Sequence, residues 1–383
     1  MTIAKVLFWC SFGLLAYHLF GYPFLLLLIN KIKPKQKELN CKLPQPLPTV
    51  TVLCPAYNEE ESIAKKIESF LQMDYPRDRV KMIVISDDSS DRTNEIVESF
   101  SGQNVELLIQ KPRRGKPSAL NMVLPKMDSD YVLSTDANCM FAPDALNLLM
   151  EKMLSNPRLG LVSGEVRIVP GEGNRSGEGL YWRYESWLKS LESELGCIIG
   201  ANGGIFLIRT DLFEKVDPQS VDDFERVLTV LKKAWKTAYE PRAKVFEEET
   251  QSAKQEMSRK IRIVTREWFV VERNLALLNP FRHPAVCFKL FSHKLLRWLF
   301  FVFVLTGFIA SVFLSSILFY RIIFCLQAAV YGYGALSLLL QKRNLRLPFS
   351  TAPAYLMAMI WSSMAAFFRY ITRTRMNTWE PVR

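Results

Sequence analysis

Four stretches of this 383-residue chain carry no charged residue: Val6–Ile29, Trp298–Tyr320, Ile322–Leu340 and Pro348–Phe368. A helix needs about 20 apolar residues to cross a hydrocarbon core of ~30 Å, so stretches of this length must be deeply buried or span a bilayer. The first three read as membrane-spanning helices. The fourth opens with Pro348 and Pro353 and is the weakest, an interfacial or re-entrant segment. The first is too long for a signal peptide and lacks a small-residue cleavage site. Residues 30–297, between the first and second stretches, leave room for one large polar domain.

The net charge is +11, and the excess lies beside the apolar stretches. Lys31, Lys33, Lys35 and Lys37 follow the first; Arg282, Lys289, Lys294 and Arg297 precede the second. Lys342, Arg343 and Arg346 follow the third, and Arg369, Arg373 and Arg375 follow the fourth. Basic flanks favour the cytoplasmic side and headgroup contact, which places the polar domain inside a multi-pass inner- or plasma-membrane protein. A cytoplasmic domain followed by three crossings would put the Arg-rich end outside, against the same rule. One of the last segments therefore stops short of crossing, and the Pro-containing fourth is the expected one. No basic–aromatic cluster stands away from the apolar stretches, so nucleic acid is not an expected partner. No spanning stretch contains an acidic residue, which argues against a transporter. Cys10, Cys41, Cys54, Cys139, Cys197, Cys287 and Cys325 show no C-x-x-C spacing, and only His18, His283 and His293 accompany them. A zinc site is not expected; the cysteines read as free thiols.

Within the polar stretch, Asn40–Pro48 is a proline-rich linker and strand–helix alternation begins at Thr49. Strands are expected at Thr49–Cys54 (stopped by Pro55), Val80–Ser86, Val105–Ile109 and Tyr131–Ser134. Helices are expected at Glu59–Gln72 (capped by Asn58), Arg92–Phe100 (capped by Asp91) and Ser118–Lys126. This alternation predicts an α/β fold with a doubly wound, mostly parallel sheet, in which ligands gather at the carboxyl ends of strands. After an apolar run at Gly160–Val169, the glycine-rich Gly171–Gly179 reads as a flexible connector, with a phosphate loop as the sharper alternative. Leu180–Leu195 and Ile263–Leu278 read as amphipathic helices, either at a membrane interface or packed in the core.

Carboxylates stand at the strand ends. Asp87 and Asp88 close the second strand, and Asp136, in Ser134-Thr135-Asp136-Ala137-Asn138, closes the fourth. Asp222 and Asp223 precede an amphipathic run of Phe224, Val227, Leu228 and Leu231. Capping of the following helix is the plain reading of each. The sharper one is a hard divalent cation, Mg²⁺ or Mn²⁺, held by Asp136 and Asn138 against an anionic substrate. The loop around Gly115 carries Lys111, Arg113, Arg114 and Lys116, suited to a diphosphate if it is not merely solvated.

Taken in order, these residues resemble the family-2 inverting glycosyltransferases with a GT-A fold, in particular the membrane-embedded group related to cellulose, hyaluronan, chitin-oligosaccharide and poly-N-acetylglucosamine synthases. Val52–Glu60 (VLCPAYNEE) is similar to the first nucleotide-binding motif, and Ser86–Thr93 (SDDSSDRT) to the second. Lys111–Asn121 (KPRRGKPSALN) resembles the basic segment, Thr135–Asn138 stands for the D-x-D motif, and Val221–Phe224 (VDDF) for the base motif. Leu277–Trp298 resembles the linker into the C-terminal membrane helices. The resemblance implies a GT-A domain over residues 49–262 between an N-terminal helix (1–30, with linker 31–48) and interfacial helices (263–297), a C-terminal membrane region (298–372) and a tail (373–383). It implies that Ala56, Tyr57, Glu59 and Asp87 or Asp88 hold the nucleoside, that Lys116 approaches the diphosphate, and that Asp136 with Asn138 binds the cation. Asp223, rather than Asp222, aligns with the base that activates the acceptor hydroxyl.

Two positions depart from the family pattern. Asn138 replaces the second Asp of D-x-D. The stretch set against Q-x-x-R-W holds Gln255 and Arg259, with one residue more between them than the pattern has, and Lys260 in place of Trp; Arg259 and Arg262 remain available for diphosphate. The expected activity is transfer from a nucleotide-sugar, UDP-linked by expectation, to a polysaccharide or lipid-linked acceptor. So few apolar segments form a narrow conduit, so export of a polymer would call for a homodimer or a partner. The departures also allow a catalytically silent nucleotide-sugar-binding or scaffolding subunit; retention of Asp136 and Asp223 argues for the enzyme.

Overall fold

The structure, a computed structural model, describes residues 1–32, 43–169, 178–248, 253–341, 345 and 347–374. The basic residues at 33, 35, 37, 342, 343, 346 and 375, most of the linker and tail, and residues 171–177 of the glycine-rich segment lie outside the described residues. Two compact units form, one from Ile29–Gln251 with Phe269–Val286, the other from Met1–Leu28, Ser252–Trp268 and Cys287–Thr374.

The first unit is built on eight strands: β1 (Val50–Ala56), β2 (Val80–Ser86), β3 (Val105–Ile109), β4 (Tyr131–Thr135), β5 (Cys139–Phe141), β6 (Leu159–Val169), β7 (Ile205–Arg209) and β8 (Lys236–Glu248). They lie in the order β3-β2-β1-β4-β7-β6-β8-β5. The four strands expected from sequence make the parallel half, with β1 paired to β2 and β4, and β2 to β3. Beyond it the sheet is mixed: β7 runs antiparallel to β4 and β6, β6 is parallel to β8, and β5 is antiparallel to β8. β1, β2 and β4 are buried on both faces, which is why they read as largely apolar runs, whereas the edge strand β3 exposes Glu106 and Ile109.

β1 continues through Pro55 rather than stopping at it. Pairing with β4 ends at Leu53 opposite Ser134, so by Pro55 the missing N–H costs no ladder bond on that side. The first helix starts at Ile63, not Glu59, because Asn58 is left-handed (φ 52°) and bonds elsewhere. The order 3-2-1-4 places a switch point at β1, whose neighbours continue to either side. Loops leaving β1, β2 and β4 therefore open onto one crevice, and these loops carry Tyr57, Asp87 and Asp136.

Among the described residues, three helices are long and apolar enough to cross a membrane, Thr2–Ile32, Leu318–Gln341 and Thr351–Ile371, and all but the last turn of the first belongs to the second unit. The expected ranking of the segments changes here. The fourth stretch forms an unbroken helix, because Pro353 falls in its first turn, where the backbone N–H has no intrahelical partner anyway. The second stretch is the broken one. Helices Pro284–Trp298 and Phe300–Phe313 meet at 59° across Leu299, and the chain turns again after Phe313. At 1.5 Å per residue the Phe300–Phe313 helix is about 21 Å long, short of the ~30 Å hydrocarbon core. Two cations expected at headgroups are covered: Lys289 is buried, and Lys294 donates to Glu267 at 2.7 Å.

Candidate active site

The loops after β1 and β2 are laced together. Asn58 donates its backbone N–H to Ser89 Oγ (3.1 Å) and accepts the Ser90 N–H on Oδ1 (2.8 Å). Glu60 N donates to Asp91 Oδ2 (3.1 Å), and Arg92 N to Glu60 Oε2 (3.2 Å). Glu59 N donates to Thr93 Oγ1 at 2.8 Å. The first and second motifs thus form one rigid wall of the crevice. Tyr57 stands beside it with the Arg113 guanidinium 3.5 Å from its ring centre, in cation–π geometry.

Asp87 is buried and turned toward the basic loop. Its Oδ1 accepts Gln110 Nε2 and the Arg114 N–H (2.9 Å), and its Oδ2 accepts the Gly115 N–H (2.7 Å). Its carboxylate therefore shapes the loop that presents Lys116. Asp88, left-handed at φ 63°, stands half-exposed at the crevice. Of the two acids, Asp88 has the open carboxylate.

Lys116 begins the helix Lys116–Val123, immediately after Gly115, whose φ of 88° suits a residue without a Cβ. Its ammonium gathers the remaining carboxylates. Nζ lies 2.6 Å from Asp136 Oδ1, 3.7 Å from Asp222 Oδ1 and 3.5 Å from the Gly203 carbonyl. Burial alone would lower the Lys116 pKa, but Asp136, Asp222 and Asp223 outweigh it and hold the group well above an ordinary lysine. Asp222 and Asp223 open the helix Asp222–Lys232. Asp222 is buried, its Oδ2 without a hydrogen bond, between Lys116 and the charge of Arg226. Asp223 is half-exposed and presses on Gly203, where an added Cβ would lie 2.8 Å from Oδ2. The 202–204 segment is pinned in turn: Asn202 N donates to Ser163 Oγ (2.9 Å), and Nδ2 to the Gly164 carbonyl (2.6 Å).

Asn138 has a structural reason to be an amide. Its Nδ2 donates to Glu247 Oε1 at 2.9 Å, tying the β4–β5 loop to β8; an aspartate there would set two carboxylates against each other. Among the described residues, the Asn138 Oδ1 accepts only a long contact from Cys139 Sγ at 3.8 Å. Burial holds the Cys139 thiol well above its usual pKa, so it stays neutral and no rival ligand. Among the described residues, no group of three or more His, Cys, Asp or Glu is arranged to hold a metal. What remains, a partly exposed Asp136 carboxylate and one amide oxygen, is a hard-oxygen pair. It fits a cation of the Mg²⁺ class, which takes one or two carboxylates and draws its other ligands from phosphates and water.

Asp136, Asp222, Asp223 and Lys116 thus come together, with Asn138 on the same loop as Asp136. Arg259 and Arg262 do not share their compact unit: both lie on the helix Ala253–Arg273, within the part grouped with the apolar helices. Burial, then the charges of Arg266 and Arg259, push Arg262 down to about 10. Lys260, where the family pattern has Trp, lies 5.4 Å from the Tyr355 ring centre. The Gln255 side chain lies outside the described residues.

Sequence reasoning passed over three contributors. Gly203-Gly204 was a visible signal, two adjacent glycines that form a tight turn closed by the Ile205 N–H on the Asn202 carbonyl at 3.0 Å. Glu247 lies on β8, whose placement beside β5 no local pattern announces. Lys66 was visible as a charge inside an apolar stripe, with Ile63, Ile67 and Phe70 as its neighbours on the same helical face.

A mixed sheet of this order, with carboxylates on its strand-end loops, is the GT-A fold of sugar-nucleotide enzymes. Residues 51–217 match the family described as Glycosyl transferase family 2. A probable glycosyltransferase of Bacillus subtilis, YdaM, is 28% identical over 330 residues, covering 78% of this chain and 75% of that protein. The poly-beta-1,6-N-acetyl-D-glucosamine synthase of Staphylococcus epidermidis is 33% identical over 140 residues, 36% of this chain and 34% of the synthase. Among solved structures, the mannosyltransferase PcManGT of Pyrobaculum calidifontis, in complex with GDP-Man and Mn²⁺, shares the fold. Its TM-score is 0.72 at 21% identity, with 96% of this chain and 100% of that chain covered. The chain thus carries a family-2 glycosyltransferase domain over residues 51–217.

Proposed function

We propose that residues 49–262 form a catalytic domain on the cytoplasmic face of a cell membrane. It moves a sugar from a nucleotide-activated donor, UDP-linked in the first instance, to a hydroxyl of a glycan or lipid-linked acceptor. The observation that carries this reading is the convergence of Asp136, Asp222 and Asp223 on Lys116 beside the 203–204 backbone. Ala56, Tyr57 and Glu59, with Asp88, line the nucleoside end, and Asp87 acts there through the loop it shapes. Lys116 meets the diphosphate. Asp136 and Asn138 hold Mg²⁺ or Mn²⁺, which when bound neutralises the leaving diphosphate. Asp223 takes the acceptor proton as its oxygen attacks the anomeric carbon from the face opposite the leaving group, so one displacement inverts that centre.

Membrane topology supports the same reading. With the bent pair counted as re-entrant, the three crossing helices return the Arg-rich C-terminal end to the side of the catalytic domain, as the positive-inside rule asks. The named synthase and the Mn²⁺-bound mannosyltransferase are compatible relatives, each for its own substrate.

The test is nucleoside diphosphate release by the full chain in nanodiscs, across UDP-, GDP- and dTDP-sugars with Mg²⁺ or Mn²⁺. Asp223→Asn is expected to keep donor binding while turnover falls on the order of a hundred- to ten-thousandfold. Undiminished turnover would refute the base assignment.

A further inference from the structure

Lys66 lies on the helix Ile63–Leu71 and is completely buried. A charge in a core costs several kcal/mol unless every donor is satisfied, and an apolar side chain at the same point of an apolar stripe would avoid that cost altogether. Lys66 satisfies all its donors in one place. Nζ donates to Thr135 Oγ1 at 2.7 Å and to the Cys139 carbonyl, and lies 3.3 Å from the centre of the Phe141 ring. An ammonium has three N–H donors, and two oxygens and a π-face account for them.

The two oxygens belong to the residues that bracket Asp136-Ala137-Asn138. Thr135 passes the connection on, its hydroxyl donating to the Gly204 carbonyl at 2.7 Å, next to the glycine against which Asp223 rests. We propose that Lys66 is the positioning residue of the cation-and-diphosphate end of the site, clamping both ends of the Asp136 loop and fixing that loop to the 203–204 backbone. Lys66 touches neither donor nor acceptor; it sets the direction in which Asp136 and Asn138 present their oxygens. The proposal rests on the reading of Asp136 as the cation ligand.

The test uses the full chain in nanodiscs. The free Mn²⁺ signal in electron paramagnetic resonance reports metal uptake in the presence of UDP or GDP, whichever the wild type binds more tightly. Nucleotide binding in EDTA is measured in parallel. Lys66→Met is expected to weaken Mn²⁺ uptake about ten- to a hundredfold, the usual cost of removing an outer-shell partner, while metal-free nucleotide affinity stays at the wild-type value. Thr135→Val, which removes the same clamp from the other side, should weaken uptake in the same direction, and Thr135→Ser should restore it. If Lys66→Met does not fold, the Thr135 pair decides. A folded Lys66→Met or Thr135→Val with wild-type Mn²⁺ affinity overturns the proposal. Asp136→Ala separates the two levels. If it abolishes uptake while the clamp variants do not, only the clamp is wrong; if it too leaves uptake unchanged, the assignment of Asp136 fails and the clamp falls with it.

Discussion

Lys66 and Lys116 both reach the loop that carries Asp136, one contacting its ends and the other its carboxylate, yet their surroundings are opposite. Lys66 is sealed among neutral partners, and burial pushes its pKa down to about 8 despite Cys54, Cys139 and Asp136, which act the other way. Lys116 stands at the crevice among three carboxylates, which raise its pKa despite burial. The same side chain serves as a scaffold in one place and as a counter-ion in the other. What separates them is which residues surround the ammonium, since both are substantially covered.

The largest effect that can break this contrast belongs to Lys116. Lys116→Met leaves Asp136, Asp222 and Asp223 facing one another without a cation, and kcat/KM should fall about a hundredfold or more in a donor-turnover assay. Turnover near the wild-type level would show that the lysine does not organise the cluster. A smaller effect is expected at Asn138. Asn138→Asp restores the common D-x-D spelling but sets a carboxylate against Glu247, so thermal denaturation should show a loss of about 1–3 kcal/mol. A stabilised variant would refute the role given to Glu247. The smallest effect is the pH signature of Lys66. Its folded pKa of about 8 lies below the ordinary value of 10.5, so between those values the unfolded chain binds more protons than the folded one. The cost of the buried charge is complete below about pH 8 and is relieved as pH rises toward 10.5. The melting-temperature difference between wild type and a folded Lys66→Met should therefore be flat below about pH 8 and move in favour of the wild type above it. A flat difference across both ranges would mean that Lys66 titrates as an ordinary lysine.

The parallel half of the sheet was legible because three of its four strands are buried on both faces and all are short, largely apolar runs bounded by turn residues. The acid group at 136 was legible because it stands where an apolar run stops, and the pair at 222–223 because it stands just before an amphipathic one. The mixed half was harder. β5 has only three residues, and β8 pairs with β6, far from it in sequence, so no local period marks their company. Asp87 shows a second limit: its position at a strand end marked it for the site, but nothing local announced that its carboxylate also accepts three donors from residues 110–115. The break at Leu299 escaped a test based on charge alone, since a helix can end within an uncharged run when ψ swings to 6°. Lys66, by contrast, was within reach of periodicity and needed only the question of why a lysine should share a stripe with Ile63 and Phe70.

The lacing of residues 58–60 to residues 89–93 has a consequence for evolution and for engineering. Two short segments separated by a whole helix–turn–strand excursion behave as a single heritable part. Grafting one of them from an enzyme with a different donor, without its mate, would leave the Ser90 amide without its Asn58 acceptor and the Arg92 amide without Glu60. Exchange of nucleotide preference in this scaffold would have to proceed by paired replacement, and a lineage that changed one segment alone would pass first through a loosened wall.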